Sequence, residues 1–161
     1  MSMWNEWYFY VNLFFLKIGG TFSCAGSAYI IQDVLRNPIK RSESIYHRLM
    51  LGLSIMDILS SFFLWMISSW AMPKGSYLWA VGTLTTCDIC GFLGMIGWIG
   101  SPLYNCSLAT FYLLQLKLYW VERRMKKIEK WLHIVPWVVS LMLATAGLVS
   151  KTIGPGYGYC A

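Results

Sequence analysis

The sequence predicts an all-α membrane protein, a bundle of four transmembrane helices formed by one domain over residues 1–161. Of its 161 residues, 57% are hydrophobic and only 12% are charged, whereas a soluble domain has about 25% charged residues. A soluble domain of this length lacks the interior volume to bury so much apolar surface, but a bilayer can hide it. The start, MSMWNEWYFY, lacks the basic region of a cleaved signal peptide, so we expect the first helix to act as its own anchor.

Four apolar segments each supply the roughly 20 residues that a membrane-spanning helix needs. The first, at about 11–34, is the least apolar and carries Lys17 near one end, where its ammonium can reach the interface. The second, at about 49–72, contains a single carboxylate. The third, at about 87–118, is long and contains four glycines, and the fourth, at about 131–150, carries no charge.

The Lys and Arg residues fix the orientation of these helices. They are concentrated in the connections at about 36–48 and 119–130, whereas the connection at about 73–86 holds only Lys74. Because basic connections stay in the cytoplasm, we expect an extracellular N-terminus and an extracellular segment after the fourth helix. The sequence thus predicts a multi-pass integral protein of the plasma membrane, with the lipid bilayer as its surrounding partner.

One acidic residue interrupts the second segment. Asp57 lies in LGLSIMDILSS, with Ser54 three residues before it and Ser61 four residues after it. These spacings place the three side chains on one helical face, which we expect to lie next to Asn105 of the third helix. An ionised carboxylate at this depth is costly unless it faces a polar interior. One interpretation is a cation site or polar switch, and the other is a protonated Asp57 that holds helices together.

Three of the five cysteines fall on the predicted extracellular side. Cys87 and Cys90 lie at the outer end of the third helix, and Cys160 follows the fourth. Disulfides persist on that side of the membrane, and a bridge from the third helix to the last segment would pin that segment over the bundle. Cys87 is nearer the boundary and is the preferred partner of Cys160. A bridge from Cys90 and free thiols are the alternatives.

The extracellular N-terminus, the intramembrane Asp, the cysteine pair and the basic second inner connection resemble the first half of a seven-helix G-protein-coupled receptor. The LSxxD run at Leu53, Ser54 and Asp57 is similar to the second helix of rhodopsin-like receptors. More of the chain resembles a divergent group from unicellular eukaryotes that is related to the cyclic-AMP-receptor-like receptors. The segments similar to that group are IYHRLMLGLSIMDILSS, SPLYNCSLATFYLL and YGYC.

The resemblance implies transmembrane signalling from an extracellular ligand to a heterotrimeric G protein. It also implies that the inner cations Lys117, Arg123 and Arg124 face the G protein. Receptors of this class usually end the third helix with an acid-Arg-Tyr triplet, whereas this chain has QLKLYW there. Lys117 keeps the charge of that arginine but loses its planar, bidentate fork. Because such receptors have three further helices, we expect the 161 residues to be a fragment that does not activate a G protein alone.

A four-helix scaffold or channel subunit and a transporter fragment are the alternatives from other classes of protein. A transporter would use Asp57 as a coupling-ion site, but the sequence shows no pair of interrupted helices typical of those folds. We do not expect an enzyme, because neither His47 nor His133 has a partner at metal-ligand spacing and no nucleophile-base arrangement is visible. We expect no cofactor, no metal ion and no nucleic-acid partner.

Overall fold

The chain folds into a bundle of four long helices. The structure, a computed structural model, describes residues 3–37, 44–76, 80–117, 122–155 and 160. The long helices are α1 at Met3–Arg36, α2 at Ile45–Leu59, α3 at Leu84–Tyr112 and α4 at Glu122–Val149. π-helical segments continue α2 over Ser60–Met66 and α3 over Leu113–Lys117, and a single helical turn follows at Ser68–Ala71. The described residues form no β-strand, which confirms the all-α class.

All four helices are long and apolar enough to cross a membrane, which indicates a multi-pass membrane protein. The stretches that meet this criterion are Tyr10–Arg36, Ile45–Met66, Leu84–Lys117 and Arg124–Val149. The third of them, with 34 residues, extends about 50 Å, well beyond the roughly 30 Å hydrocarbon core of a bilayer. In a membrane this helix therefore has to tilt or to protrude from the surface.

Two helices extend beyond the apolar segments that predict them. α1 begins at Met3 rather than near residue 11, because no Gly or Pro interrupts residues 3–18. α4 begins at Glu122 rather than near residue 131, because Glu, Arg and Lys are good helix formers although they lie outside the apolar run. An apolar run marks the part of a helix that suits lipid and does not mark where the hydrogen-bonded helix ends.

α3 begins at Leu84 rather than near residue 87, because Thr83 and Thr86 form a capping box before it. The Thr86 backbone N–H donates to Thr83 Oγ1 at 3.3 Å, and the Thr83 N–H donates to Thr86 Oγ1 at 2.7 Å. The Thr86 hydroxyl also donates to the Ala71 carbonyl oxygen at 2.9 Å. The same residue therefore starts α3 and attaches it to the turn that follows α2.

The second predicted span is not one continuous α-helix. Its α-helical part ends at Leu59, and the π-helical segment carries the chain to Met66. At the end of this π-helical segment Lys17 of α1 donates from Nζ to the Met66 carbonyl oxygen at 2.8 Å, and its ammonium lies 4.0 Å from the centre of the Trp70 ring. The cation expected to reach the interface is thus held within the contact between α1 and α2, where it binds a main-chain acceptor.

α3 is the central helix of the described bundle. It packs against α2 on one side and α4 on the other, whereas α1 contacts only α2 and its π-helical continuation among the described elements. Glycine permits the close approach of α2 and α3, because a Cβ added to Gly97 would lie 2.3 Å from the backbone nitrogen of Ser60. Gly52 of α2 likewise leaves room for the Tyr104 ring of α3, which would lie 2.5 Å from an added Cβ.

Candidate functional site

Three sets of side chains are described first by their level in the bundle, and the cations predicted to face a G protein form a fourth set at the basic end. We call the end that holds Cys87 and Cys160 the cap end, and the end that holds Arg48 and Lys127 the basic end. The first set closes the cap end. The second is the predicted polar stripe of α2, and the third joins three helices near the basic end.

A disulfide closes the cap end. Cys87, in the first turn of α3, is bonded to Cys160, and their Cα atoms lie 5.3 Å apart. Both residues are fully buried. Cys90, about one turn further along α3, is a buried free thiol. The bonded pair is the one preferred from the sequence, and the alternative bridge from Cys90 is not the one that the structure contains.

The segment after α4 folds back onto the bundle around this disulfide. Ile153 is buried, and its Cγ2 would lie 2.5 Å from a Cβ added to Gly91 of α3. The Cys160 backbone N–H donates to the hydroxyl of Ser68, a fully buried serine beyond α2, at 3.0 Å. One covalent bond, one hydrogen bond and one buried side chain therefore hold this segment across the ends of α2 and α3.

The predicted polar stripe of α2 is divided between different environments. Ser54 is buried and Asp57 is half-buried. Ser61, in the π-helical segment, is buried and donates to the hydroxyl of Ser23 in α1 at 2.7 Å. Within the described ranges the Asp57 carboxylate accepts no hydrogen bond and forms no ion pair. The stripe therefore contacts α1 through Ser61 and leaves its carboxylate without a protein partner in this part of the chain.

Asn105 does not join this stripe. α3 presents Gly97, Gly100 and Tyr104 to α2, and Asn105 lies on an exposed part of α3. No hydrogen bond connects Asn105 to Asp57 in the part of the chain that the structure describes. The reason is helical geometry, since Asn105 is rotated by about 100° from its neighbour Tyr104.

The cations predicted to face a G protein lie at the basic end. Lys117 is the last residue of the π-helical segment after α3, and its side chain is exposed. Arg124 is exposed in the first turn of α4. Arg123 lies in α4, but its side chain is outside the described part of the structure. The Lys117 and Arg124 side chains form no ion pair with any described residue, so both can meet a negatively charged partner.

An ion pair joins α2 to α4 near the basic end. Arg48, in the first turn of α2, donates from Nε to one carboxylate oxygen of Glu129 and from Nη2 to the other, the latter at 3.0 Å. The Arg48 side chain is 25% exposed and that of Glu129 is 16% exposed. Two-point contacts of this kind fix orientation as well as distance, so the pair sets how α2 and α4 lie relative to one another.

A second polar contact joins α3 to α4. The hydroxyl of Tyr104, a residue only 1% exposed, lies 3.1 Å from Nδ1 of His133. His133 follows Glu129 by four residues and therefore lies on the same face of α4. Ser107 strengthens the contact by donating to the Leu132 carbonyl oxygen at 3.0 Å. We refer to Arg48, Glu129, Tyr104 and His133 together as the polar network, which connects α2, α3 and α4.

Sequence reasoning missed this network. It assigned Arg48 to an inner connection by charge alone and gave His133 no partner. The signal that could have found it is Glu129, one of two acids in this basic stretch, which is placed four residues before a histidine on one helix. Which arginine or tyrosine would meet that face depends on how the helices pack, and that information is not local in the sequence.

The polar network is arranged so that it can couple the positions of three helices. Among the described residues, no group of three or more His, Cys, Asp or Glu side chains is placed to hold a metal ion. The polar network consists of one ion pair and one hydrogen bond, which can break or re-form when the helices move. Contacts of this kind can have two discrete arrangements, which a conformational switch requires.

The chain matches no protein-family model, and no curated protein matches it. The resemblance to seven-helix receptors therefore rests on the motifs of the sequence itself.

Proposed function

We propose that the chain forms the first four helices of a seven-helix receptor, which passes an extracellular signal across the plasma membrane to a heterotrimeric G protein. The observation that carries this proposal is the disulfide between Cys87 and Cys160. It attaches the segment after α4 to the start of α3, which is the arrangement that the resemblance implies. Such a tether holds a ligand-facing segment in a fixed place over the bundle.

The distribution of charge supports an extracellular cap end. The described cations Lys17, Lys74 and Lys151 lie at or near that end, whereas the exposed cations of the basic end are more numerous. These are Arg36, Lys117, Arg124, Lys126, Lys127 and Lys130. The bias orients the N-terminus to the outside and the basic end to the cytoplasm. A disulfide at the cap end agrees with this orientation, because disulfides persist on the extracellular side.

In this proposal Lys117, Arg123 and Arg124 meet the G protein, and the extracellular ligand binds towards the cap end. Asp57 acts as the polar switch of the bundle interior, and the polar network keeps α2, α3 and α4 in one arrangement until the signal changes it. Lys117 replaces the usual arginine at the end of the third helix, so its single ammonium carries the contact that a guanidinium fork makes elsewhere.

The first test is the transcript. A reading frame that continues past Ala161 into three further apolar spans supports the receptor. A stop codon directly after Ala161 contradicts it and favours an independent four-helix membrane protein.

The second test uses the full-length protein and measures basal nucleotide exchange on a co-expressed heterotrimeric G protein. Lys117→Ala should lower exchange, whereas Lys117→Arg should preserve or raise it, because a guanidinium restores a two-point donor. Lys74→Ala, which removes an exposed cation at the cap end, is the control. Equal exchange by the Lys117→Ala and Lys74→Ala proteins, at equal surface expression, would contradict the role of Lys117.

A further inference from the structure

A groove between α2 and α4 opens on the surface of the bundle. Its volume is about 470 Å³. Leu51 and Ile55 of α2 form one wall, Trp137 of α4 forms the other, and Tyr104 and His133 lie at its base. Arg48 lines the same groove on the side of the basic end, with its guanidinium bound to Glu129. The groove is therefore apolar along its walls and polar at its base.

Two lysines continue the groove toward the basic end. Lys126 and Lys130 precede His133 and Trp137 on α4 at spacings that place all four residues on one helical face. Both lysine side chains are exposed. Lys126 and Lys130 lie about 6 Å apart along the helix axis, and Lys130 lies about 10 Å from the level of Trp137. Helical spacing therefore places both lysines on the face of α4 that lines the groove, about one turn apart, which suits contact with a single anionic group.

The acid nearest to these lysines does not neutralise them. Glu129 lies beside Lys130 in the sequence, but its carboxylate is turned to Arg48. Within the described ranges neither Lys126 nor Lys130 forms an ion pair. Among the side chains that the structure describes, Lys126 and Lys130 therefore stay without an acidic partner on the groove side of α4. Orientation in a membrane requires cations only at the basic end, and it does not require them on the face that continues the groove.

We propose that this groove binds one anionic phospholipid of the cytoplasmic leaflet. Lys126 and Lys130 contact the headgroup phosphate, and an acyl chain lies between Ile55 and Trp137. The distances suit this occupant, because the lysines lie at headgroup level when the Trp137 level lies within the hydrocarbon layer. Basic pockets between transmembrane helices on the cytoplasmic side are typical sites for such headgroups. The site is independent of whether the chain acts as a receptor.

The ligand specificity can be tested on the wild-type chain by native mass spectrometry. Detergent-solubilised protein is titrated with phosphatidylserine, with phosphatidylcholine, or with water-soluble glycerophosphoserine. We expect one phosphatidylserine to be retained at concentrations at which phosphatidylcholine is lost, and glycerophosphoserine not to displace it. Equal retention of the two lipids would overturn the proposal. Displacement by glycerophosphoserine would also overturn it, because the site would then bind the headgroup without acyl chains.

The position of the site can be tested with paired variants. Lys126→Gln with Lys130→Gln should weaken phosphatidylserine retention about 30-fold, the factor that two cations near an anionic surface provide. Lys126→Arg with Lys130→Arg should restore it. The matched control is Arg124→Gln with Lys127→Gln, which removes two exposed cations of α4 that lie off the groove face. An equal loss of phosphatidylserine retention in the control would mean that general surface charge binds the lipid. That result would overturn the assignment of the site to the groove.

A single substitution tests the apolar part of the site. Ile55→Trp places a larger side chain in the groove while all cations stay in place, so it should lower phosphatidylserine retention several-fold. Unchanged retention in this protein would contradict the placement of the acyl chain.

Discussion

Arg48 at the start of α2 holds the carboxylate of Glu129 on α4 through two guanidinium nitrogens, across a sequence separation of 81. α2 and α4 both pack against α3, and they contact one another much less than either contacts α3. The ion pair is therefore a principal direct tie between them among the described residues. Because the two partners come from opposite halves of the chain, the pair can form only when the bundle is assembled.

Breaking this ion pair should destabilise the bundle. Arg48→Ala leaves the mostly buried Glu129 carboxylate without its partner, and we expect a loss of about 2 kcal/mol, below the roughly 3–5 kcal/mol of a fully buried pair. Thermal unfolding in detergent measures it. The control is Lys127→Ala, which removes an exposed cation at the same end. Arg48→Glu combined with Glu129→Arg should recover part of the loss, and a melting temperature of Arg48→Ala equal to that of Lys127→Ala would contradict the prediction.

The disulfide at the cap end should contribute more stability than any single hydrogen bond. It joins residues separated by 73 positions, and the chain-entropy account gives about 4 kcal/mol for a loop of that length. Cys87→Ser and Cys160→Ser should therefore lower the melting temperature by similar amounts. Cys90→Ser is the matched control, because Cys90 is a free thiol on the same helix. Non-reducing peptide mapping that linked Cys90 to Cys160 would refute the assignment.

A methyl group at Gly97 should separate α2 from α3. The added Cβ would lie 2.3 Å from the Ser60 nitrogen and 2.5 Å from the Met56 oxygen, and main-chain atoms cannot move aside as a side chain can. We expect Gly97→Ala to cost about 1–3 kcal/mol of stability. Gly19→Ala on α1 is the control, since no atom beyond its own stretch of helix lies within 4 Å of its added Cβ. Unfolding in detergent should show a lower stability for Gly97→Ala than for Gly19→Ala. Equal stability of the two variants would mean that α2 and α3 lie further apart than the structure shows.

The class of the fold and the approximate position of each helix along the chain could be predicted from the sequence, because apolar length and charge bias are local properties. The break after Leu59 could not be predicted from the sequence. The π-helical segment after that break ends where Lys17 of α1 binds the Met66 carbonyl, and a contact between such distant segments is not visible in the local sequence. Helix ends were also misjudged where good helix formers continue beyond the apolar run, as at Glu122.

The candidate site could be predicted where two residues had only to lie at the same end of the bundle, as for the bonded Cys87 and Cys160. It could not be predicted where the rotation of a helix decides the contact. Asn105 was expected beside Asp57, but α3 turns Tyr104 toward α2 instead. The polar network was missed for the same reason, since Tyr104 and His133 meet only through the packing of α3 on α4.

The orientation of the bundle can be tested by labelling. Ser76 lies in the connection after α2, at the cap end, and Ser42 lies in the basic connection before α2, outside the described residues. In a background with Cys24, Cys90 and Cys106 replaced by serine, Ser76→Cys should react with an impermeant maleimide in intact cells. Ser42→Cys should react only after permeabilisation. Labelling at position 42 and not at position 76 in intact cells would reverse the orientation.

Substitution of Asp57 tests whether its carboxyl group has a functional or a structural role. If the carboxyl group holds helices together, Asp57→Asn should lower the melting temperature, as Arg48→Ala should. Since the Asp57 carboxylate has no hydrogen-bond or ion-pair partner among the described residues, we expect a change in stability within about 1 kcal/mol. In the proposed seven-helix receptor the same substitution should change agonist affinity or its dependence on sodium, because it removes the charge within the bundle. Ser61→Ala is the control for a structural role, since it removes the hydrogen bond to Ser23. A large loss of stability with unchanged signalling in Asp57→Asn would show that the acid is structural and would remove Asp57 from the proposed switch.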